Sequence, residues 1–282
     1  MMKTWDTVAI VGVGLIGGSI GLALRERALA RQIIGVGRRA SSLRKAKQRG
    51  AVDSTTTNLT RGVAKAQLVV VCTPVGNVVE HVRQAAKNCA DGALITDAGS
   101  TKQEIVAALE GTLPETVQFV GSHPLAGSHE TGSQAAQADL FEGRTVIVTP
   151  SRKADANAAN EIERFWRALG ATVIRSTPRA HDEIVAAISH LPHLVASALA
   201  RGTAERYLPL ASTGWGDTTR IAAGDPLLWQ QIFSSNRGHV LKSLDKFEKV
   251  LASFRAALDR NDQDTIVKLL AAGKRNRDAV GS

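Results

Sequence analysis

A glycine-rich turn near the start of the chain limits the possible folds more than any other segment. The β-branched run Val8-Ala-Ile-Val11 predicts a strand, and Gly12-Val-Gly14-Leu-Ile-Gly17 follows it directly, at the opening of a helical stretch. Each glycine has a separate physical task. Gly12 permits the tight turn, Gly14 lets a charged ligand approach the backbone, and Gly17 lets helix and strand pack closely. The helix start at Leu15 and Ile16 adds free N–H donors and the positive end of a dipole, so a pyrophosphate fits there. An ordinary turn also uses glycine. Strand, turn and helix in this order, within an alternating array, favour a dinucleotide site.

That array continues for the first 178 residues. Strands are predicted at Val8–Val11, Ile33–Val36, Leu68–Cys72, Ala93–Thr96, Val117–Val120, Thr145–Val148 and Thr172–Ile174. Most are unbroken apolar runs, as strands buried on both faces require. Helical stretches separate them, including Ser41–Gln48, Asn77–Asn88, Lys102–Leu109 and Ala154–Leu169. This alternation predicts an α/β, Rossmann-like domain over residues 1–178, built on a doubly wound parallel sheet. After Pro178 the strands stop. Residues 179–282 read as an all-α domain: one long apolar helix from His181 to about Arg206, kinked at Pro192, and helices at Pro226–Ser235, His239–Arg260 and Gln263–Arg277. The Gly/Thr-rich Ser212–Thr219 reads as a connection. So few helices make a thin core alone, which predicts substrate binding and homodimerisation through this half.

The formal charge of +9 raises the question of nucleic acid. The excess is local: Arg25 to Arg49 holds nine basic residues against Glu26 alone. Aromatic residues make up only 4%, which argues against base-stacking platforms. An NAD site would place an acid near the end of the second strand to meet the ribose hydroxyls. No acid occurs between Glu26 and Asp53, whereas Arg38, Arg39 and Ser41 offer donors for a 2′-phosphate. The prediction is NADP, with NAD also possible; the competing reading is a solvated basic surface. The uncharged stretch Thr7–Leu24 is interrupted by five glycines and followed by Arg25-Glu26-Arg27, which argues against a membrane span or a signal peptide. Cys72 and Cys89 show no pairing pattern, consistent with a reducing, cytoplasmic setting.

Ligands collect at strand ends in such sheets. Cys72-Thr73-Pro74-Val75, Asp97-Ala-Gly-Ser100-Thr-Lys102 and Gly121-Ser-His123-Pro-Leu-Ala-Gly127 all lie there, and Cys72, Thr73, Pro74 and Asp97 become candidate cofactor neighbours. His123 has the chemistry of a general base near neutrality, although a lone loop histidine is more often structural. His190 and His193 share a helix face, but no carboxylate or cysteine completes a shell, so no metal site is predicted.

Together with Ser189-His-Leu-Pro-His193 and Asp217-Thr-Thr-Arg220-Ile-Ala-Ala-Gly-Asp-Pro226, these segments resemble the prephenate/arogenate dehydrogenase family of tyrosine biosynthesis, from Val8 to about Phe247. The resemblance implies an oxidative decarboxylation of a cyclohexadienol with hydride transfer to a nicotinamide. It implies that His123 polarises the substrate hydroxyl, that Ser100 bridges this histidine and the nicotinamide, and that Arg220 binds the substrate carboxylate. By the same resemblance His193, Trp229 and Asp217 belong to the substrate pocket. Ser100 also has a simpler role open to it, as a helix cap. His129 stands where prephenate-specialised relatives can carry an acidic residue. It offers no permanent anion to the ammonium of arogenate, which leans towards prephenate as substrate. No regulatory domain is expected after the helical half, so any tyrosine inhibition would act at the active site. Competing readings are another NADP-dependent dehydrogenase, such as a β-hydroxyacid dehydrogenase or imine reductase, a redox-sensing NADP-binding regulator without turnover, and a nucleic-acid binder. Residues 182–197 lack the lysine that such dehydrogenases use.

Overall fold

The structure, a computed structural model, describes residues 4–127 and 132–281. Eight strands form one sheet: β1 Trp5–Val11, β2 Ala30–Val36, β3 Ser54–Thr56, β4 Leu68–Val71, β5 Leu94–Asp97, β6 Gln118–Pro124, β7 Thr145–Thr149 and β8 Thr172–Arg175. Their spatial order is β3-β2-β1-β4-β5-β6-β7-β8. The chain runs outward from β1 in both directions, so a crevice opens between the C-terminal ends of β1 and β4. Neighbouring strands are parallel except β6 and β7. Among the described residues no α-helix intervenes between those two, in keeping with an antiparallel pair rather than a helical crossover.

The two-residue period of the strands divides the core between the faces. Val8, Ile10, Leu68 and Val70 pack with α1 Leu15–Glu26, α2 Ala40–Gln48 and, further along the chain, residues of the helix Ala156–Ala168, where Trp166 is fully buried. Ala9, Val11, Val69 and Val71 face α3 Leu59–Val63, α4 Val75–Ala86 and α5 Gln103–Leu109. Each fully buried Val, Leu or Ile contributes about 1.5–3 kcal/mol of transfer free energy. The helix Ala156–Ala168 is α6. Strand β3, which the apolar pattern does not predict, is a half-buried Ser-Thr-Thr triplet at the sheet edge.

Beyond β8 the elements are helical, as expected. Pro178–Val185 is α7, capped by the Thr177 side chain on the Ala180 N–H. A π-helical turn, Ala186–His190, joins it to α8 Leu191–Gly202. The irregularity expected at Pro192 is therefore this wide turn just before the proline, a feature frequent at functional sites. Pro178–Gly202 is apolar and long enough to cross a bilayer by length and composition. It nevertheless buries His181, Asp182, His190 and His193 within the fold. Residues 213–219, expected as a connection, form a short helix α9 Thr213–Thr219. Here Thr218 and Thr219 bond back to the carbonyls of Gly214 and Trp215, a contact open to a threonine within a turn of helix. A 3₁₀ turn, Arg220–Ala223, and α10 Pro226–Ser235 follow.

The change of element type falls at α7, but the packed unit runs through Asn236. A second unit, from Arg237 onward, holds α11 Arg237–Asp259 and α12 Gln263–Asp278, packed on each other. Asp262 caps α12 through the Thr265 N–H. Along this hairpin Val250, Leu251, Leu258, Val267 and Leu270 are exposed.

Candidate active site

At the crevice between β1 and β4 lies a cavity of about 630 Å³. Its floor is Gly12, Val13, Gly14 and Cys72-Thr73-Pro74, and Arg38, Arg39 and Ser42 form one wall. Gly12 has φ +96°, and a Cβ there would sit 2.7 Å from the Cys72 carbonyl oxygen. A Cβ on Gly17 would sit 2.2 Å from the Gly12 carbonyl oxygen, whereas Gly14 faces open space. These three environments match the three tasks inferred from the sequence. No side chain caps the N-terminus of α1, so its N–H donors stay available for a pyrophosphate.

The cofactor candidates do not all reach this wall. Leu15 and Ile16 are half-buried at the start of α1, outside it. Ser41 and its neighbour Ser42 are both exposed on α2, and Ser42 is the one that lines the cavity. Asp97 is fully buried and its carboxylate is taken up internally: Oδ1 accepts from the Ser122 N–H (3.2 Å), and Oδ2 accepts from the Gly99 N–H (2.9 Å) and pairs with Lys102 Nζ. It is a support beneath the site, since burying either charge alone would be costly.

Much of the basic cluster has structural partners. Arg25 bonds the Gly50 carbonyl and pairs with Asp53, Arg27 pairs with Glu142, Arg31 with Asp6, and Arg49 reaches the Ala136 carbonyl. Asp53, the first acid after β2, also accepts from the Ile33 N–H and is absent from the cavity wall. Arg38 and Arg39 are the members of the cluster that line it.

The second part of the site stands at the end of β6. Ser122 Oγ donates to the Asp97 carbonyl (2.6 Å) and accepts from the Trp166 indole N–H (2.9 Å), tying β6 to β5 and α6 below His123. His123 Nδ1 lies 2.9 Å from His181 Nε2, and His181 Nδ1 lies 2.7 Å from Asp182 Oδ1. Asp182 also accepts the backbone N–H groups of Lys102 (2.7 Å) and Gln103 (2.9 Å). It thus caps α5 from eighty residues away, in place of a local side-chain cap such as Ser100. Ser100 sits half-buried in the loop between β5 and α5.

This chain of contacts sets the tautomers. A carboxylate only accepts, so His181 must carry its proton on Nδ1. Its Nε2 is then an acceptor, and His123 Nδ1–H donates to it. The remaining nitrogen of His123, Nε2, holds a lone pair. Burial holds His123 well below the ordinary histidine pKa, and the positive charges of a protonated His181, Lys102 and a protonated His190 act in the same direction. His123 is therefore a neutral imidazole with a free basic nitrogen at neutral pH.

A third group lies on the helices beyond β8. His193 stacks on Trp229, with ring centroids 3.5 Å apart and planes 12° apart, and its buried Nδ1 has no hydrogen-bond partner among the described residues. A Cβ on Gly224 would lie 2.6 Å from Trp229 Nε1 and 3.0 Å from His193 Cε1, so this glycine seals the pair. Arg220 and Asp217 are exposed, one opening the 3₁₀ turn that leads to Gly224 and the other on α9. Asn236 Nδ2 donates to the Asp182 carbonyl (2.8 Å) and to His190 Nδ1 (3.1 Å), linking this group to the His123 chain. Burial lowers His190 to about 4. His129 lies outside the described residues.

Sequence reasoning missed His181, Asp182, Lys102, Asn236 and the cavity residue His81. The adjacent His181-Asp182 pair at the switch from sheet to helix was the one visible signal. Among the described residues no cluster of His, Cys, Asp or Glu could hold a metal ion.

Comparison with known proteins identifies the family. A family model described as prephenate dehydrogenase, nucleotide-binding domain, matches residues 20–175, and one described as prephenate dehydrogenase, dimerization domain, matches residues 177–272. The prephenate dehydrogenase of Bacillus subtilis (strain 168) is 33% identical over 287 residues, covering 99% of this chain and 77% of that protein. The cyclohexadienyl dehydrogenase of Zymomonas mobilis is 29% identical over 289 residues, covering 99% of this chain and 97% of that protein. The crystal structure of prephenate dehydrogenase from A. aeolicus, in complex with hydroxyphenyl propionate and NAD+, superposes with a TM-score of 0.91 at 31% identity, over 99% of this chain and 100% of that one. With a nicotinamide-dependent dehydrogenase matched across both halves, the chain belongs to the prephenate dehydrogenase family.

Proposed function

We propose that this chain oxidises prephenate to 4-hydroxyphenylpyruvate and carbon dioxide, with NADP as the preferred hydride acceptor, as a homodimer. The observation that carries the reading is the His123–His181–Asp182 chain, which leaves His123 Nε2 unprotonated at the end of β6. The bound nicotinamide supplies the hydride acceptor. His123 Nε2 takes the carbinol proton as the hydride departs and returns it to the phenolate oxygen once the ring carboxylate has left, so no net proton is released. The Lys102–Asp97 pair and the Asp182 cap keep the histidine chain in place from below. Ser100 lies on the loop that brings β5 to α5, where it bridges histidine and nicotinamide. Arg220 grips the substrate carboxylate as a two-toothed donor, which fixes the angle of the carbinol C–H. His193, braced against Trp229, offers its unpartnered Nδ1 to the same substrate, and Asp217 closes the pocket rim.

NADP is favoured because two guanidinium groups, Arg38 and Arg39, stand where an NAD site needs a carboxylate, and Asp53 is already engaged with Arg25 and the Ile33 N–H. The exposed apolar residues of α11 and α12, with Leu258 at 65% and Val267 at 64%, favour burial against a second copy. The test is a four-way turnover matrix, prephenate or arogenate with NAD or NADP, on wild type and His123→Asn. The expected result is fastest turnover of prephenate with NADP, reduced about 10²–10⁴-fold by the substitution. Faster turnover of arogenate would replace the substrate assignment. Absence of reduced nicotinamide from all four pairs would overturn the reading, and a monomeric mass by light scattering would overturn the dimer.

A further inference from the structure

We propose that His81 is a third reader of the cofactor's 2′-phosphate, and that it makes selection of NADP over NAD stronger as pH falls. The inference rests on the NADP reading above.

His81 lies on α4, the helix that starts directly after Thr73 and Pro74 on the cavity floor. Asn77, His81 and Gln84 follow one another at helical spacing and all line the cavity from one side. Arg38, Arg39 and Ser42 line it from the other. The imidazole is tethered: Thr73 Oγ1 lies 3.0 Å from Nδ1. A hydroxyl can donate to a neutral ring nitrogen or accept from a protonated one, so this tether survives either state of the ring. Nε2 is left to act as a donor towards a ligand in both states.

The surroundings favour the neutral form of the ring. Burial depresses its pKa first, the carboxylate of Glu80 on the same helix opposes this, and Arg38 across the cavity adds to the depression. Arg39 shares the wall with Arg38. The wall at α3 supplies Thr57, Asn58, Leu59 and Thr60, none of them charged. On the other flank of α4, facing α5 and α10, the charged group in the adjoining cleft is Glu104. In the free protein the imidazole is neutral near pH 7. A phosphate dianion set among Arg38, Arg39 and His81 reverses that balance and draws a proton onto the ring, whereas NAD, with a plain 2′-hydroxyl, does not. A binding step coupled to proton uptake tightens as pH falls.

The test is titration calorimetry of the full-length protein with NADP+ and with NAD+ between about pH 7 and 8.5, where a phosphate with a second pKa near 6 is largely dianionic. Repeating it in buffers of different ionisation enthalpy counts protons. We expect NADP+ affinity to fall about five- to tenfold across this range with proton uptake on binding, and neither effect for NAD+. His81→Gln should flatten the NADP+ slope. Equal proton uptake for both cofactors, none for NADP+, or an unchanged slope in His81→Gln would overturn the proposal, and the wild-type proton count decides it even if the variant does not fold. A preference for NADP+ that Arg38→Ala abolishes but pH leaves constant would sink the role of His81 alone. No preference at any pH would sink the NADP reading and this inference with it.

Discussion

Asp182→Asn isolates the part of the site that orients the base without touching cofactor or substrate. The carboxylate accepts three hydrogen bonds, from His181 Nδ1, Lys102 N and Gln103 N. An asparagine fits the space but replaces one acceptor by a donor. With its oxygen kept towards His181 and Lys102, the new NH₂ meets the Gln103 N–H, and the buried mismatch costs about 1–3 kcal/mol. With the amide turned over, the NH₂ meets His181 and forces that ring to carry its proton on Nε2. His181 would then donate to His123 Nδ1, and the His123 proton would move to Nε2, where the carbinol must deliver its own. A wrong tautomer of this kind lowers kcat by roughly 10⁴ in the serine-protease triad. We expect kcat to fall about 10²–10⁴-fold, or roughly 3–5.5 kcal/mol of barrier, with KM for both ligands nearly constant. Initial rates of nicotinamide reduction, alongside a thermal melt to establish folding, measure both quantities. A folded Asp182→Asn enzyme within about threefold of wild-type kcat would refute the orientation argument. A large rise in KM instead would move Asp182 into the binding surface.

Other changes test the remaining contacts. Gly224→Ala must displace the His193–Trp229 stack, since its Cβ would lie 2.6 Å from the indole nitrogen; KM for the cyclohexadienyl substrate should rise about tenfold or more, with cofactor KM unmoved. Arg220→Gln should raise the same KM by a similar factor while leaving cofactor affinity intact, which equilibrium binding of NADP would check. Gly21→Ala places a Cβ 2.0 Å from the Ala51 carbonyl oxygen, and should lose about 1–3 kcal/mol or more in urea unfolding although Gly21 lies outside the phosphate-binding triplet. Burial lowers the pKa of His123, His181, His190 and His193 in the fold, while the unfolded chain protonates them near 6.5. The unfolded state therefore binds more protons below that pH. Stability should be full above pH 6.5, fall on acidification, and for His190 level off near its folded value of about 4, a contribution of roughly 3 kcal/mol that His190→Gln would remove from the pH slope of the unfolding midpoint.

What was legible in the sequence follows the range of the forces involved. Strands buried on both faces show themselves as apolar runs, and the glycine turn shows itself because its geometry is local. Strand β3 escaped because a Ser-Thr-Thr edge needs only one partner strand and no core. Helix α9 escaped because glycine and threonine are weak helix formers, so its seven residues read as a connection. The charge count misled in part, since Arg25, Arg27, Arg31 and Arg49 turned out to hold loops and acids rather than ligand. His123 was legible through its motif. Its partners were not: His181 is 58 residues away and Asp182 caps a helix 80 residues away, distances at which no local pattern carries information.

Those long contacts also bear on how the chain divides. The sequence changes character near residue 178, yet the helices that follow the two inner cofactor loops are completed from beyond it. Asp182 satisfies the first N–H groups of α5, Gln231 accepts from the Gly76 N–H at the start of α4, and Asn236 secures the Asp182 carbonyl. Unsatisfied helix N-termini in a buried setting are costly. A fragment ending at residue 178 would keep the Gly12–Gly17 cradle, whose partners Val36 and Cys72 lie before that point, while losing the cap of α5 and the His181 ring that bonds the His123 side chain. Cofactor binding and base orientation are thus separable in energy although they share one sheet edge. The helical half thus finishes two strand-end loops of the sheet.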